Sequence, residues 1–120
     1  MAEDFVRVTQ FDNRVHITFL NESQKVFDIG EKMNQINENA YMNGYNWEAF
    51  FNHYLETEDP DLLKGLEPDP EAGMYCADYP LSDENYKKAK KFEQLIISLI
   101  KNEEKLYDYL RQNGDKIQWD

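Results

Sequence analysis

The chain has 120 residues, with 24 acidic side chains against 13 basic ones and a formal net charge of −11. A surface this acidic repels nucleic acid and anionic membranes and speeds encounter with basic proteins, which leaves a basic protein as the expected partner. The 41% apolar content, with seven Phe, eight Tyr and two Trp, excludes a disordered acidic tail, and a single cysteine, Cys76, excludes an internal disulfide.

The length predicts a single domain over residues 1–120, large enough to bury a core. Met1-Ala2-Glu3-Asp4 lacks the basic start and long apolar stretch of a signal peptide. The apolar run from Leu95 to Ile100 is broken by Ser98 and falls far short of the ~20 residues of a membrane span. Together with the lone cysteine, these features lead us to expect a soluble cytoplasmic protein.

Val6 and Val8 alternate with Arg7 and Thr9, and Val15, Ile17 and Phe19 alternate with His16 and Thr18. Two period-2 runs joined by Asp12-Asn13 predict a β-hairpin. Val26, Ile29, Met33, Ile36 and Ala40 then recur at helical spacing, with Ser23 as the expected N-cap, Gly30 as an interior weak point and Gly44 just past the end. Asn46 is the expected cap of a second helix, whose buried face is Trp47, Phe50, Phe51, Tyr54 and Leu55. Asp59-Pro60 opens a short helical turn that Gly65 ends.

Glu67 to Gly73 reads as an acidic loop stiffened by Pro68 and Pro70. Residues 73–79 predict a strand, with Tyr75, Ala77 and Tyr79 on one face and Met74, Cys76 and Asp78 on the other. Ser82 caps a long helix whose stripe is Phe92, Leu95, Ile96, Leu99 and Ile100, with Lys87, Lys88, Lys90 and Lys91 facing outward. Asn102 is the expected cap of a last helix carrying Leu106, Tyr109 and Leu110, with Gly114 as its stop. Ile117 and Trp119 alternate with Lys116 and Gln118, which predicts a short C-terminal strand. The order predicts an α+β fold: one sheet of antiparallel type, made of the hairpin, strand 73–79 and the C-terminal strand, with helices packed on one face.

Catalytic patterns are missing. There is no glycine-rich phosphate loop, no Gly-x-Ser-x-Gly and no dinucleotide fingerprint. Cys76, His16 and His53 fall in different elements, so neither a metal nor a catalytic dyad is expected: Cys76 reads as a packing residue, and His16 and His53 as solvent-facing. With 24 acids, paired carboxylates are no signal of glycosidase chemistry, and Asp69-Pro70-Glu71 lacks calcium-loop spacing. No cofactor is expected.

Binding is better supported. Glu56, Glu58, Asp59, Asp61, Glu67, Asp69 and Glu71 crowd one segment that holds a single lysine, and Asp78 and Tyr79 follow on the adjoining strand. These nine residues form the expected partner-binding set. Carboxylates on loops, a proline-stiffened backbone and nearby aromatics (Tyr45, Tyr75, Tyr79, Trp119) suit a preorganised face for a basic protein. Tyr75 and Tyr79 share a strand face, which puts at least one of them in the core.

A resemblance sharpens this. Tyr45-Asn46-Trp47-Glu48-Ala49-Phe50-Phe51, Tyr54-Leu55-Glu56, Asp69-Pro70-Glu71-Ala72-Gly73-Met74-Tyr75-Cys76-Ala77, Asn102-Glu103-Glu104-Lys105-Leu106 and Gly114-Asp115-Lys116-Ile117-Gln118-Trp119-Asp120 resemble the small acidic immunity proteins of bacterial polymorphic toxin systems, nearest to the Immunity protein 51 family. The resemblance runs from the first helix to the end. It implies a protein that binds a cognate toxin and blocks its active site or substrate path; separately, no enzymatic activity is expected, and a monomer or weak dimer is the expected state. Charge suits a nuclease toxin with a basic cleft. Two other readings stay open on the residues alone: an acidic adaptor or DNA-mimic regulator of another basic protein, and an enzyme built around Cys76 or a histidine.

Overall fold

The computed structural model describes residues 5–119; the acidic Met1–Asp4 start and Asp120 lie outside them. Strands β1 (Val6–Phe11) and β2 (Arg14–Phe19) form the hairpin, followed by helices α1 (Gln24–Ile36) and α2 (Gly44–Glu58) and a 3-10 turn (Pro60–Leu63). Strands β3 (Glu67–Pro68) and β4 (Tyr75–Pro80) lead into helices α3 (Asp83–Lys101) and α4 (Glu103–Asn113). The four strands form one antiparallel sheet in the order β1-β2-β4-β3, so the fold is α+β.

The hairpin turns at Asp12 and Asn13, both at positive φ (52° and 60°), which is the left-handed pair that a two-residue hairpin loop requires. Register does the rest. Val8 faces Ile17, Ile17 faces Ala77, Phe19 faces Tyr75 and Val15 faces Tyr79, so one sheet face is apolar. The helices cover that face. Arg7, Thr9, Phe11, Arg14, His16, Thr18, Cys76 and Asp78 occupy the other.

The core is aromatic at its centre. Phe19 meets Trp47 edge-on with ring centroids 4.9 Å apart, and Phe51 meets Tyr75 at 5.0 Å and Phe92 at 5.6 Å. Such edge-to-face pairs contribute roughly 0.5–1.5 kcal/mol beyond their buried area. Trp47, Phe50, Phe51 and Leu55 are fully buried, as the spacing of α2 predicts.

Several boundaries differ from expectation. Helix α1 stops at Ile36, not near Ala40, because Asn37 adopts an extended backbone and its side chain accepts from the Asn39 N–H at 2.9 Å. Gly44 therefore opens α2 instead of following α1. Asn43, not Asn46, is the cap: its side chain accepts from the Asn46 N–H at 2.9 Å. Ser23 and Asn102 hold N-cap positions without a capping side-chain bond, and Asn102 instead donates back to the Ser98 carbonyl at 3.0 Å, closing α3. Ser82 caps α3 as expected, its Oγ accepting from the Asn85 N–H at 3.0 Å.

The expected C-terminal strand is absent. Residues 115–119 form turns and irregular chain, with Ile117 buried and the Trp119 indole donating to the Gly114 carbonyl at 3.1 Å. The cause is placement: α4 docks on α2, with Phe50 and Tyr109 rings 5.6 Å apart, so the tail leaves beside a helix and not beside a sheet edge. Conversely, the acidic loop contributes a strand that its prolines concealed: Glu67 pairs with Asp78 and Pro68 with Ala77, at an edge where proline is tolerated. Strand β4 runs Tyr75–Pro80, slightly later than residues 73–79. Among the described residues, no helix is long and apolar enough to cross a membrane.

Candidate functional site

The run of carboxylates between Glu56 and Glu71 does not form one surface. Gly44, the first residue of α2, donates its N–H to the Ala72 carbonyl at 2.8 Å, so the loop 69–74 sits at the N-terminal end of α2. Glu56 and Glu58 lie at the other end of the same helix, roughly 20 Å away at 1.5 Å per residue. They border hollows beside Trp119 and Tyr109 instead.

Pairing divides the set further. Asp59 is half-buried and accepts from Lys91 of α3 at 2.8 Å, and Asp61 pairs with Lys64 at 3.3 Å. Arg14 of β2 lies between Glu67 of β3 and Asp78 of β4, bonded to both, and His16 Nδ1 stands 3.7 Å from Asp78. Asp69 and Glu71 form no ion pair with a described residue and are exposed. These two, with the partly neutralised Glu67 and Asp78, make an acidic edge on the β3–β4 side of the sheet.

Cys76 reports that edge. Burial pushes its thiol above the ordinary range first, the negative charges of Glu71, Asp69 and Asp78 push the same way, and a hydrogen bond with Thr18 opposes them. Three carboxylates thus act on one half-buried sulfur at the centre of the patch.

The loop carrying Asp69 and Glu71 is held at many points. The Asp69 N–H donates to the Cys76 carbonyl at 2.7 Å, and Glu71 and Met74 exchange backbone bonds at 2.8 and 3.2 Å. The Ala72 carbonyl accepts from Gly44 and from the Asn21 side chain at 3.3 Å. Pro68 and Pro70 limit what remains. A binding loop ordered before it meets its partner loses little entropy on docking.

A model of the Immunity protein 51 family matches residues 6–115 of this chain. The chain belongs to the Immunity protein 51 family. Among curated proteins and solved structures, no match is found.

Within this Immunity protein 51 member, Tyr79 must be removed from the expected contact set. It is fully buried and its hydroxyl donates to the Leu62 carbonyl, anchoring the 3-10 turn to β4, so it offers a partner no surface. Burial, with the charge of Asp59, also raises its pKa above the usual tyrosine range. His53 is likewise not a solvent residue: it is half-buried, and its Nδ1 meets the Tyr109 hydroxyl at 2.7 Å, with Thr57 Oγ1 at 2.9 Å from the same hydroxyl.

Arg14 is what sequence reasoning missed at the acidic edge. Its only mark in the sequence is alternation with Val15; that it faces Asp78 follows from the β2–β4 register, which periodicity does not encode. No group of three or more His, Cys, Asp or Glu among the described residues is arranged to hold a metal ion.

Proposed function

We propose that this immunity-family chain neutralises a cognate bacterial toxin by binding it directly, with the acidic edge of Asp69, Glu71, Glu67 and Asp78 seated on a basic region of the toxin. A nuclease with a positively charged cleft is the toxin class this charge suits best, and the cytoplasm is where such a toxin would be met. Neutralisation then needs no chemistry from this chain: occupying the cleft excludes the polyanionic substrate. The observation that carries the reading is the preordered 69–74 loop, which presents two unpaired carboxylates beside two paired ones. Family membership supplies the toxin as partner; the −11 net charge supplies steering, which lifts association toward about 10⁸ M⁻¹s⁻¹ at low salt.

The test is the double variant Asp69→Lys with Glu71→Lys, measured by stopped-flow association with the purified toxin at two ionic strengths. Both positions are exposed and unpaired, so folding is preserved. We expect the association rate to fall more than tenfold and its salt dependence to flatten. An unchanged rate removes the acidic edge from the interface. The parallel variant Glu56→Lys with Glu58→Lys reports whether the far end of α2 serves instead.

A further inference from the structure

Helix α1 and the chain leading to α2 enclose a groove of about 440 Å³ that shares Ala72 with the acidic loop. Two of its lining residues are bare aromatics: Phe27 of α1 is 49% exposed and Tyr41 is 72% exposed. Single exposed rings are ordinary on a protein surface; two on one concave site mark an interaction surface.

The backbone beneath Tyr41 is unusual. Met42 takes a left-handed conformation, φ 55°, which a long side chain rarely adopts. Its N–H is held by Asn46 Oδ1 at 2.9 Å, and its side chain is buried against Gly30, where an added Cβ would come within 3.1 Å of the Met42 Cβ. Driving Met42 inward turns Tyr41 outward. Strain maintained by a buried hydrogen bond and a glycine contact is the kind that accumulates at functional sites.

The groove's polar character is one-sided. Glu22 and Glu31 line it, neither forms an ion pair with a described residue, and no Lys, Arg or His is among the lining residues. Asn21, only 4% exposed, also lines it; its Nδ2 donates to the Ala72 carbonyl, while its Oδ1 has no hydrogen-bond partner among the described residues. The site therefore offers carboxylates and aromatic faces, while the Asn21 Oδ1 is sealed beneath them.

Carboxylates call for a cation and for hydrogen-bond donors, and aromatic faces call for a flat group. A guanidinium meets all three: it is planar, always charged, carries five N–H donors and stacks on aromatic rings, whereas an ammonium is a compact and strongly hydrated charge. We propose that this groove is the docking pocket for an arginine side chain of the partner protein. The proposal rests on the reading of the chain as a binder of a basic toxin, and it assigns that toxin a second contact. The two contacts are continuous: a Cβ added at Gly73 would lie 2.5 Å from Glu22 Oε1, so the Glu22 carboxylate already rests on the acidic loop.

The experiment titrates the ¹⁵N-labelled protein with N-acetyl-arginine amide at millimolar concentrations, beside N-acetyl-lysine amide and the neutral isostere N-acetyl-citrulline amide. We expect saturable shifts at the amides of Gly30, Tyr41 and Met42 with the arginine compound, several-fold weaker shifts with lysine and none with citrulline. Glu22→Gln with Glu31→Gln should weaken arginine binding by roughly tenfold, and Tyr41→Ala should weaken it without unfolding the exposed site. No saturable shift at the groove, equal binding of citrulline, or shifts confined to Asp69 and Glu71 each overturn the pocket. Failure of the toxin reading looks different: the arginine compound would bind as described while cells co-expressing the toxin still die. Protection without arginine binding removes the pocket alone.

Discussion

Replacing Gly44 with alanine tests whether the acidic loop and α2 form one mechanical unit. A Cβ at Gly44 would lie 1.7 Å from the Glu71 carbonyl oxygen and 2.8 Å from that of Met74. Both obstacles are backbone, so no rotamer change relieves them, and the loop must retreat by more than an ångström. That movement breaks the Gly44 N–H bond to Ala72, 2.8 Å long in the native fold. Forced overpacking costs about 1–3 kcal/mol, and the lost hydrogen bond about 0.5–1.5 kcal/mol. The sum is about 1.5–4.5 kcal/mol, which for a chain of this length lowers Tm by on the order of 10 °C. Thermal unfolding followed by circular dichroism measures it. Displacing the loop also displaces Asp69 and Glu71, so toxin binding should weaken even at temperatures where the variant is folded. A Tm within a degree or two of the native protein, with unaltered binding, would refute the coupling, since it would mean that the loop yields freely and was never held in place.

Trp47→Ala should destabilise the fold by about 3–5 kcal/mol in urea titration, because the ring is fully buried against Phe19, Phe50 and Phe51. Trp47→Phe should cost distinctly less, since it keeps an aromatic ring in the cavity while shedding, as Ala does, a buried indole N–H that has no acceptor among the described residues; equal costs would contradict this. Alkylation of Cys76 by iodoacetamide should titrate above the ordinary thiol range, and Asp69→Asn with Glu71→Gln should bring the profile down; an unmoved profile would place those carboxylates away from the sulfur. A hydrogen bond from Lys32, with Nζ 3.3 Å from Oε1, holds Glu103 below the usual carboxylate range. A lowered folded-state pKa means that the α1–α4 pair adds stability above the unfolded carboxylate pKa and loses it as pH falls through the folded one. Lys32→Gln should therefore cost about 0.2–1 kcal/mol near neutrality and converge with the native protein in acid, as pH-dependent urea titration would reveal.

The elements and their inner faces were legible because burial writes a period into the chain. The 3-and-4 spacing of Val26, Ile29 and Met33, the alternation of Val15, Ile17 and Phe19, and the aromatic stripe from Trp47 to Leu55 each name a face that must leave water, and each is buried. Asp12-Asn13 and Ser82 were readable for the same local reason: each solves a backbone problem within three residues. Net charge is a sum over the composition and needs no fold.

What the fold alone decided is which distant groups share a place. Seven carboxylates gathered between Glu56 and Glu71 in the sequence became two regions because a helix of about 20 Å intervenes, and strand register, invisible in a periodic pattern, brought Arg14 between Glu67 and Asp78. Phe27 and Tyr41 lie outside every apolar stripe, so local pattern gives them no role; the left-handed turn at Met42, held by Asn46 and admitted by Gly30, makes them a groove. Periodicity encodes what faces inward, because the hydrophobic effect acts residue by residue. The outward constellation depends on chain path and on charges meeting across tens of residues, and those are settled only when the core has closed.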